Sequence, residues 1–530
     1  MSCRIAGGDF DSAGIASRML KDHLSRVGVD ARALRRAMIA AYEAEMNVVI
    51  HARTGSMWAR LDEGRLDLEV SDEGPGIQDI ELAMQAGWST ASEKARQMGF
   101  GAGLGLPNIR ANSDLFEIDS RVGKGTRIRS TIYLRHDVVG RSGPAQPCGL
   151  SIDRGRCRTC LRCLFACPTG ALRAREGGPF LLENLCIGCT ACIAECPDRV
   201  FGISDEPGLP ASLEGAVFVA PSGFLTGFPG SPGPARVLAA LEAMGFAGVR
   251  FTEEWEEPLR REGRGAAARA ASEPGARPLP VIPPVCPAVV NLIEAQFPSL
   301  IPNLAPYLSP VEAVAGDFPL VPVVLVAACP SQYAAAVKSS HTARFTVLSP
   351  ASMARELRPH LAAVKDPGRE HSLGLSRTPE AEGELRVSGI RHVQKTLSEV
   401  ETGALEGVRV LECFACDQGC VGSPLLGADP FVGARLRDAS GAREGRQGLA
   451  DPDAVRRPRP FAARPGARLD EDMAEAIRKL ARIDEVTRSL AGRDCGMCGA
   501  PSCAAFAEDV VLGRAGEPSC PYPRRTEDHA

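Results

Sequence analysis

Apolar residues recur with helical spacing near the start of the chain. Between residues 31 and 52 they stand at Leu34, Met38, Tyr42, Met46 and Val49. Steps of three and four residues place side chains on one face of an α-helix. The pattern predicts an amphipathic helix, on which Glu43 and Asn47, four residues apart, also share a face.

Strict alternation of apolar and polar residues predicts two strands after this helix. The first, at 66 to 70, runs into the turn D-E-G-P-G at 72 to 76, and the second, at 128 to 134, follows Gly125 and Thr126. Between them lies the glycine-rich run G-F-G-A-G-L-G-L at 99 to 106. Glycines let backbone amides approach phosphates closely, so this order of elements suggests a nucleotide site.

Three side chains in these elements have the chemistry that such a site needs. A short carboxylate such as that of Asp72 can accept a hydrogen bond from an adenine amino group. A Glu and an amide oxygen on one helix face can orient the attacking group and complete a Mg²⁺ shell. Each signal is weak alone, but their order and spacing strengthen the hypothesis.

Together, the E-x-x-x-N helix, the D-x-G-x-G turn, the glycine-rich lid and the late Gly-Thr resemble the GHKL ATPase superfamily, over residues 1 to 136 (the N-terminal region). Within it, the short N-terminal portion and the absence of a recognisable phosphoacceptor helix resemble the anti-sigma-factor serine kinases. The resemblance implies an α/β sandwich that binds ATP and Mg²⁺, with Glu43 as the base, Asn47 as the Mg²⁺ ligand and Asp72 as the adenine reader. The other implied nucleotide contacts are Gly74, Gly76, Gly99, Gly101, Gly103, Gly105 and Thr126.

The strongest motif is the run C-x₂-C-x₂-C-x₃-C-P, which occurs twice between residues 144 and 204 (the dicluster region). The repeat is identified as a bacterial two-cluster ferredoxin, in which three thiolates of one run and the fourth of the other hold each [4Fe-4S] cube. One cluster is therefore assigned to Cys157, Cys160, Cys163 and Cys196, and the other to Cys167, Cys186, Cys189 and Cys192. Structural zinc, the alternative, would favour C-x₂-C pairs separated by longer loops.

A second cysteine motif lies near the chain end, in residues 473 to 530 (the C-terminal region). A helix-period stretch precedes C-x₂-C-G-x₃-C, and C-P-Y-P follows. The pattern resembles the small four-cysteine iron-sulfur domain of redox-complex subunits and corrinoid proteins, which implies a cluster at Cys495, Cys498, Cys503 and Cys520. Zinc is the alternative here, since spacing alone does not fix the metal.

Four more cysteines are scattered through residues 211 to 435 (the central region). The segments F-V-A-P-S, V-C-P-A-V-V-N-L-I-E-A-Q-F-P-S-L, A-A-C-P-S-Q and F-A-C-D-Q-G-C resemble the large-subunit domain of [FeFe]-hydrogenases. That family holds a cubane with four cysteines, the last of which also bridges to a two-iron site. By position these ligands are Cys286, Cys329, Cys416 and Cys420.

The residues around these ligands depart from the hydrogenase pattern. The family's proton-carrying cysteine is replaced by Val285, a Met and a Lys at the two-iron unit are replaced by Ala327 and Gln332, and the Met of the third motif is Phe414. The glycine run ends in Ser423-Pro424. The sequence therefore predicts a bound cubane without hydrogenase turnover.

Composition limits the class of protein. The chain has 530 residues, which predicts several domains, and 19 cysteines, which in regular clusters point to metal ligands in a reducing cytosol. A formal net charge of -4 with mixed signs gives no polybasic footprint for nucleic acid. No leader or long apolar run is visible, so we expect a cytoplasmic protein without membrane contact.

Segments without apolar periodicity predict the domain limits. They lie at 137 to 147, at 366 to 384 and at 436 to 468, and we expect a linker at 436 to 472. The expected fold is multidomain α/β and α+β: a GHKL α/β sandwich, a ferredoxin-like dicluster domain, a hydrogenase-like α/β domain and a small helical Fe-S domain. The charged stretch 254 to 275 is interpreted as a solvated helix or loop.

These observations predict a cytoplasmic iron-sulfur redox regulator with a serine-kinase-like ATP module and about four [4Fe-4S] clusters. Its expected partners are an anti-sigma-antagonist-type or other regulatory protein and a redox protein. One alternative is an electron-transfer enzyme, either a hydrogenase or a ferredoxin-linked reductase, against which the lost proton-path residues argue. Another is a non-catalytic Fe-S scaffold, against which the complete nucleotide motifs argue.

Overall fold

The structure is a computed structural model with mixed α/β architecture, as the sequence predicts. It describes residues 1–91, 101, 103–134, 148–175, 177–203, 207–228, 233–272, 277–339, 345–364, 381–405, 407–439, 455–464, 468–516 and 522. Within these ranges, no helix has both the length and the apolar character that crossing a membrane requires.

The N-terminal region forms an antiparallel five-stranded sheet in the order β1-β2-β3-β5-β4. Its strands are β1 (Ser2–Ala6), β2 (Thr54–Asp62), β3 (Arg65–Asp72), β4 (Leu115–Arg121) and β5 (Gly125–Tyr133). The helices are α1 (Ile15–Arg26), α2 (Ala31–His51), α3 (Ile80–Ala83) and α4 (Gly105–Ala111). The predicted helix and both predicted strands are confirmed.

Helix α2 forms where the sequence supplies both a cap and an apolar stripe. The Asp30 side chain accepts hydrogen bonds from the backbone N–H groups of Arg32 and Ala33, which satisfies free donors of the first turn. Leu34 and Met38 are almost fully buried against the sheet. The helix is thereby fixed with its Glu43 and Asn47 positions along one edge of a cleft.

The dicluster region consists of two small antiparallel strand pairs that carry cysteine loops. Strand β6 (Leu150–Ile152) pairs with β9 (Phe201–Ile203), and β7 (Leu172–Arg175) pairs with β8 (Gly178–Leu181). Short helices α5 (Arg162–Ala166) and α6 (Ala191–Ala194) and the 3₁₀ turns Arg154–Arg156 and Glu183–Leu185 complete it.

The central region is built on a parallel sheet in the order β11-β10-β12-β13, with a separate parallel pair of β14 and β15. The strands are β10 (Val217–Ala220), β11 (Gly248–Phe251), β12 (Val323–Val326), β13 (Phe345–Leu348), β14 (Glu384–Ser388) and β15 (Val410–Phe414). The helices are α7 (Pro234–Ala243), α8 (Glu253–Ser272), α9 (Pro287–Gln296), α10 (Pro310–Asp317), α11 (Pro330–Ser339), α12 (Pro350–Ala363), α13 (Ile390–Thr402) and α14 (Pro430–Ala439), with 3₁₀ turns Ser222–Thr226, Pro298–Asn303 and Gly419–Gly422.

The cysteine loops of the central region follow the carboxyl ends of strands. Cys329 comes three residues after β12, and Cys416 comes two residues after β15. Loops at the carboxyl ends of parallel strands commonly form binding sites. The sheet therefore delivers two separated cysteine motifs to one place.

The interpretation of residues 254 to 275 as a solvated segment is wrong in part. Residues Glu253–Ser272 are helical, but Trp255 and Leu259 are buried in the core of the central region. Arg260, on the same helix, forms ion pairs with Glu256 and Glu412. The charge of Arg260 is satisfied inside the protein by Glu256 of the same helix and by Glu412 of β15.

The C-terminal region, with α15 (Met473–Ser489) and α16 (Cys503–Val511), packs on the N-terminal region. Leu480, Ile483 and Phe506 share one hydrophobic core with Leu20 and Leu24 of α1. On its other side, Asp509 forms a fully buried ion pair with Arg173 of the dicluster region. The C-terminal region is therefore held between the other two.

Candidate functional site

A candidate site lies in a cleft of about 1550 Å³ in the N-terminal region. Most of the predicted nucleotide residues line it, namely Glu43, Asn47, Asp72, Gly76, Gly101, Gly103, Gly105 and Thr126. Gly74 lies beside it and donates its N–H to Asp72 Oδ1 at 2.7 Å, whereas Gly99 lies outside the described residues. The cleft is large enough for a nucleoside triphosphate.

Glu43 is held in the cleft by a residue that the sequence interpretation missed. Asn108 of α4 donates from Nδ2 to Glu43 Oε1 at 2.6 Å. The pKa of Glu43 is raised, because the effect of burial exceeds the opposite effect of the hydrogen bond from Asn108. A carboxylate with a raised pKa is a better base near neutral pH. The sequence signal for Asn108 was its position one turn into the helix after the glycine-rich run.

Asn47 has a buried side-chain atom, Nδ2, without a hydrogen-bond partner among the described residues. A Cβ atom at Gly105 would lie 3.1 Å from Asn47 Oδ1 and 3.4 Å from Glu43 Oε2. Because glycine is present there, the α4 backbone approaches both side chains closely. These residues fit a Mg²⁺–triphosphate group. Asn47 would supply an oxygen ligand to the metal, and the α4 backbone would supply amide N–H groups.

Asp72 is oriented at the other end of the cleft by backbone donors. Its Oδ1 atom accepts from the N–H groups of Gly74 at 2.7 Å and Thr126 at 3.3 Å. Burial raises the pKa of Asp72, and these hydrogen bonds oppose that shift. Within the described chain, Oδ2 accepts no hydrogen bond and suits an adenine amino group.

The four cysteines predicted to bind the first dicluster cluster lie together. Cys157, Cys160, Cys163 and Cys196 surround one small cavity. The N–H of Thr159 donates to Cys157 Sγ at 3.3 Å, and the N–H of Val200 donates to Cys196 Sγ at 3.4 Å. Three cysteines of one run thus lie beside the last cysteine of the other.

The other four dicluster cysteines also lie together. The charges of Cys189, Cys167 and Cys163 all act on Cys192, whose pKa is raised mainly by burial. Cys186 lies close enough to Cys192 to interact with it. Cys148 hydrogen-bonds Cys186, which lowers the pKa of the Cys148 thiol.

In the central region, Cys286, Cys329, Cys416 and Cys420 line one buried cavity. Burial is the main cause of the raised pKa values of the thiols of Cys286, Cys329 and Cys420. Free thiolates would therefore be costly here, whereas coordination to iron would stabilise them. The cavity also contains Cys189 of the dicluster region, and Thr190 Oγ1 lies 3.6 Å from Cys416 Sγ.

The residues that replace the hydrogenase pattern are buried around this cavity. Val285, Ala327 and Phe414 are each less than 5% exposed. Ser423 donates from Oγ to the carbonyl oxygen of Ala328 at 2.5 Å. The space is thus filled mostly by apolar groups and by Gln332.

Three of the four predicted C-terminal ligands lie together. The charges of Cys495 and Cys503 act on Cys498, whose pKa is raised mainly by burial. Cys520 lies outside the described residues. Gly496 packs on Phe165 and Leu161, next to Cys163, so this motif touches the first dicluster loop.

Strained backbone concentrates at these cysteine loops. In the described chain, the non-glycine residues with positive φ are Thr159, Leu161, Thr190, Arg199, Gln418 and Asp494. Each lies within three residues of a predicted cysteine ligand. Such conformations cost about 1–3 kcal/mol each and persist mainly at functional sites.

The described part contains no group of three His, Cys, Asp or Glu residues that could hold a single metal ion.

The nucleotide cleft has one wall that the sequence did not predict. Glu399 and Thr402 of α13, with Gly403 and Ala404, line it although they belong to the central region. The pKa of Tyr42, which adjoins Glu43, is raised mainly by burial, and the charge of Glu399 is one of the smaller causes. Nothing in the local sequence of α13 signals this contact, because it depends on how two distant segments pack.

Comparison with known proteins supports the four-part organisation. Residues 9–132 match the histidine kinase-like ATPase domain, and residues 156–201 match the 4Fe-4S dicluster domain. Residues 218–316 match the C-terminal domain of the iron-only hydrogenase large subunit, and residues 490–522 match a family described as a putative Fe-S cluster. The expected domain types are confirmed; their limits remain predictions.

The N-terminal region has close curated relatives. It is 30% identical over 126 residues to the serine/threonine-protein kinase RsbT of Bacillus subtilis, covering 23% of this chain and 89% of that protein. Through this region, the chain belongs to the anti-sigma-factor kinase family. It is also 36% identical over 103 residues to the anti-sigma F factor of Thermoanaerobacter sp. (strain X514), covering 18% of this chain and 68% of that protein.

Other parts of this family member resemble iron-sulfur proteins. It is 40% identical over 77 residues to an iron-sulfur protein of Rhodospirillum rubrum, covering 14% of this chain and 37% of that protein. An [FeFe]-hydrogenase structure from Chlamydomonas reinhardtii aligns at 14% identity with a TM-score of 0.33, covering 47% of this chain and 89% of that chain. A TM-score this low adds nothing to the hydrogenase family match. The chain therefore combines an anti-sigma-factor kinase-like ATPase domain with Fe-S and hydrogenase-like domains, as an Fe-S regulatory protein.

Proposed function

We propose that the protein is an ATP-dependent regulator of the serine-kinase type whose activity follows the redox state of its iron-sulfur clusters. ATP binds in the N-terminal cleft, and the clusters occupy the four cysteine sites. The partner is a regulatory protein of the anti-sigma-antagonist type, in keeping with the relatives named anti-sigma F factor and RsbT. The protein acts in the cytoplasm, where cysteines stay reduced.

One contact carries this proposal: helix α13 runs from the central cysteine site to the nucleotide cleft. At its start, the N–H of Gly389 donates to the carbonyl oxygen of Phe414 at 3.0 Å, two residues before Cys416. At its end, Glu399 and Thr402 line the cleft. Thirteen residues of α-helix span about 20 Å, so a single rigid element touches both sites.

The buried face of α13 shares its core with the cysteine site. Val393, Leu397 and Val400 pack in one hydrophobic cluster with Cys286 and Phe414. Packed cores transmit small shifts, because they are dense and resist deformation. A change in charge or size at the central cluster would therefore bias the position of α13 at the cleft.

In the cleft, the chain's own residues would divide the work of phosphoryl transfer. Asp72 and the glycines hold the nucleotide, and Asn47 would hold a Mg²⁺ ion, which would supply neutralisation of phosphate charge. Glu43 accepts the proton of the attacking serine hydroxyl of the partner. The oxygen forms a bond to the γ-phosphorus as the bond to ADP breaks.

The test compares the oxidised and the reduced holoprotein anaerobically. ATP affinity and phosphoserine formation on candidate partner proteins are measured in both states, and Glu43→Ala controls for transfer. We expect both quantities to change with redox state. Equal affinity and equal transfer in the two states would contradict the proposal, and electron transfer to an added acceptor would then favour the enzyme alternative.

A further inference from the structure

Gln332 makes two hydrogen bonds to the sulfur atoms of the central cysteine site. Its backbone N–H donates to Cys329 Sγ at 3.3 Å, and its side-chain Nε2 donates to Cys420 Sγ at 3.2 Å. Gln332 is 4% exposed, so its bond to Cys329 is buried and its bond to Cys420 is partly buried. Hydrogen bonds between buried groups are electrostatically stronger than those in water.

A third bond fixes the orientation of the Gln332 amide. The backbone N–H of Ala328 donates to Gln332 Oε1 at 2.8 Å. An N–H group requires an acceptor, so the amide oxygen must face Ala328 and the NH₂ group must face Cys420. Ser423 holds the same loop from the other side by donating to the Ala328 carbonyl oxygen at 2.5 Å.

We propose that Gln332 prevents Cys420 from bridging to a second metal unit, so that Cys420 binds only the cubane. Gln332 also raises the reduction potential of that cubane. The N–H donor occupies a sulfur lone pair that a second metal unit would need. It also stabilises the additional negative charge of the reduced cluster, and hydrogen bonds to ligand sulfurs are among the factors that set cluster potentials.

The surroundings of Cys420 support both parts of this inference. Ala328, Phe414 and Ala415 of the cavity lining have no side-chain donors for iron-bound diatomic ligands, and the hydroxyl of Ser423, which also lines the cavity, donates to the Ala328 carbonyl oxygen. Glu256 acts on Cys420 with a negative charge, but Arg260 pairs with that carboxylate at 2.6 Å. The Gln332 amide is therefore the polar side chain that faces Cys420 Sγ directly.

The inference rests on the cluster assignment of the proposed function but is independent of ATP control. The holoprotein is titrated under anaerobic conditions, and the central cluster is followed by its electron paramagnetic resonance signal. Gln332→Met removes the donor and the acceptor, and Gln332→Glu keeps the acceptor for Ala328 but loses the donor. Both variants retain the backbone N–H bond to Cys329.

In each variant, we expect the equilibrium constant for reduction of the central cluster to fall about tenfold. This is a shift of about 59 mV to lower reduction potential for a one-electron couple. The matched control is Asn303→Leu, which removes another fully buried amide of the central region, one that donates to Pro280 at 2.9 Å and touches no cysteine. It should lower stability and leave the potential unchanged. An unchanged potential in both Gln332 variants, or an equal shift in the control, would overturn the proposal.

A second measurement tests the exclusion of a two-iron unit. The wild-type holoprotein is incubated with the maturation proteins of [FeFe]-hydrogenases and examined by infrared spectroscopy. We expect no bands of iron-bound carbon monoxide or cyanide, and their appearance would refute the exclusion. Neither readout involves nucleotide. The Gln332 proposal can therefore be refuted while redox control of ATP binding holds, and redox control of ATP binding can be refuted while the Gln332 proposal holds.

Discussion

Lys21 and Glu401 form a buried ion pair that joins the N-terminal and central regions, with Lys21 Nζ 2.5 Å from the Glu401 carboxylate. Both side chains are at most 10% exposed. The same ammonium lies 3.6 Å from the centre of the Phe297 ring, and Ser299 donates a hydrogen bond to Glu401. The pair lies at the cleft end of α13 and holds that helix against the N-terminal region.

Breaking this pair should uncouple the two regions. In Lys21→Met, Glu401 is left buried without its cation, which typically costs about 3–5 kcal/mol. We expect the dependence of ATP affinity on redox state to disappear, measured by nucleotide titration of oxidised and reduced protein. The matched control is Glu475→Gln, which breaks the exposed pair of Glu475 with Arg478. Retained redox dependence in Lys21→Met would show that the signal takes another route.

Glu43→Ala should leave ATP binding largely intact and abolish turnover. In the proposed mechanism Asp72 and the glycines hold the nucleotide and Glu43 is the base, and loss of a base typically costs about 10²- to 10⁴-fold in rate. Nucleotide titration and single-turnover phosphoryl transfer separate the two effects. Turnover at the wild-type rate would remove Glu43 from the mechanism.

The pH dependence of turnover should depend on Asn108. Burial raises the pKa of Glu43, so the basic form is lost as pH falls through a value above that of an ordinary Glu, about 4.3. Asn108→Ala removes the hydrogen bond that lowers this pKa, so the acid limb of kcat/KM should move to higher pH. Asn112→Ala is the control, because Asn112 caps the same helix without touching Glu43. Identical acid limbs in the wild type and Asn108→Ala would argue against Glu43 as the titrating base.

Cluster content should follow the cysteine grouping. Anaerobically prepared protein should contain about sixteen irons, from two clusters in the dicluster region and one each in the central and C-terminal regions. Cys160→Ser should remove one cluster and leave the others, because Cys160 shares its cavity with Cys157, Cys163 and Cys196. Iron and acid-labile sulfide analysis measures this, and zinc in the holoprotein would overturn the C-terminal assignment.

Docking of the C-terminal region should weaken as pH rises. His23 Nε2 lies 3.4 Å from Asp484 Oδ2, and this contact raises the pKa of His23 and lowers that of Asp484. A raised pKa in the folded state means that the stabilisation is complete below about pH 6.5 and is lost above the folded value. The pair is partly exposed, so we expect an effect of about 0.2–1 kcal/mol. Hydrogen exchange of α15 at pH 6 and pH 8.5 measures it, and His23→Gln should show no such pH dependence.

The sequence predicted which residues lie together within each candidate site better than the contacts between the sites. Local spacing suffices for a helix with Glu43 and Asn47 on one face, and the cysteine repeats suffice for grouping Cys157 with Cys196. The wall formed by Glu399 and the pair of Lys21 with Glu401 join residues hundreds of positions apart. No local pattern encodes such contacts.

The charged helix α8 shows why composition alone does not predict which charged residues are buried. A run of Glu and Arg usually faces solvent, but Arg260 finds Glu412 on strand β15 and Trp255 fills the core. The partners come from strand β15 and from the core, so the buried network could not be predicted from the run itself. Gln332 is similar, since its bond to Cys420 depends on a loop 88 residues away.

The protein should not evolve hydrogen at the rates of an enzyme. Proton reduction requires electrons, which the dicluster site could deliver because Thr190 Oγ1 lies 3.6 Å from Cys416 Sγ. It also requires a proton relay, and Val285, 2% exposed, has no group that can carry a proton. We expect no hydrogen above background from holoprotein supplied with reduced carrier and maturation proteins, measured by gas chromatography beside a true [FeFe]-hydrogenase.

Val285→Cys sharpens this prediction. It restores a thiol at the relay position, yet Gln332 still donates to Cys420 at 3.2 Å, so this single change should not produce hydrogen evolution. The relay alone is insufficient because the Cys420 sulfur, which would have to bridge to a two-iron unit, remains hydrogen-bonded. Wild-type hydrogen evolution near the rate of the reference enzyme would instead mean that the central region is a catalyst, and control of the ATP cleft by α13 would then accompany catalysis rather than replace it.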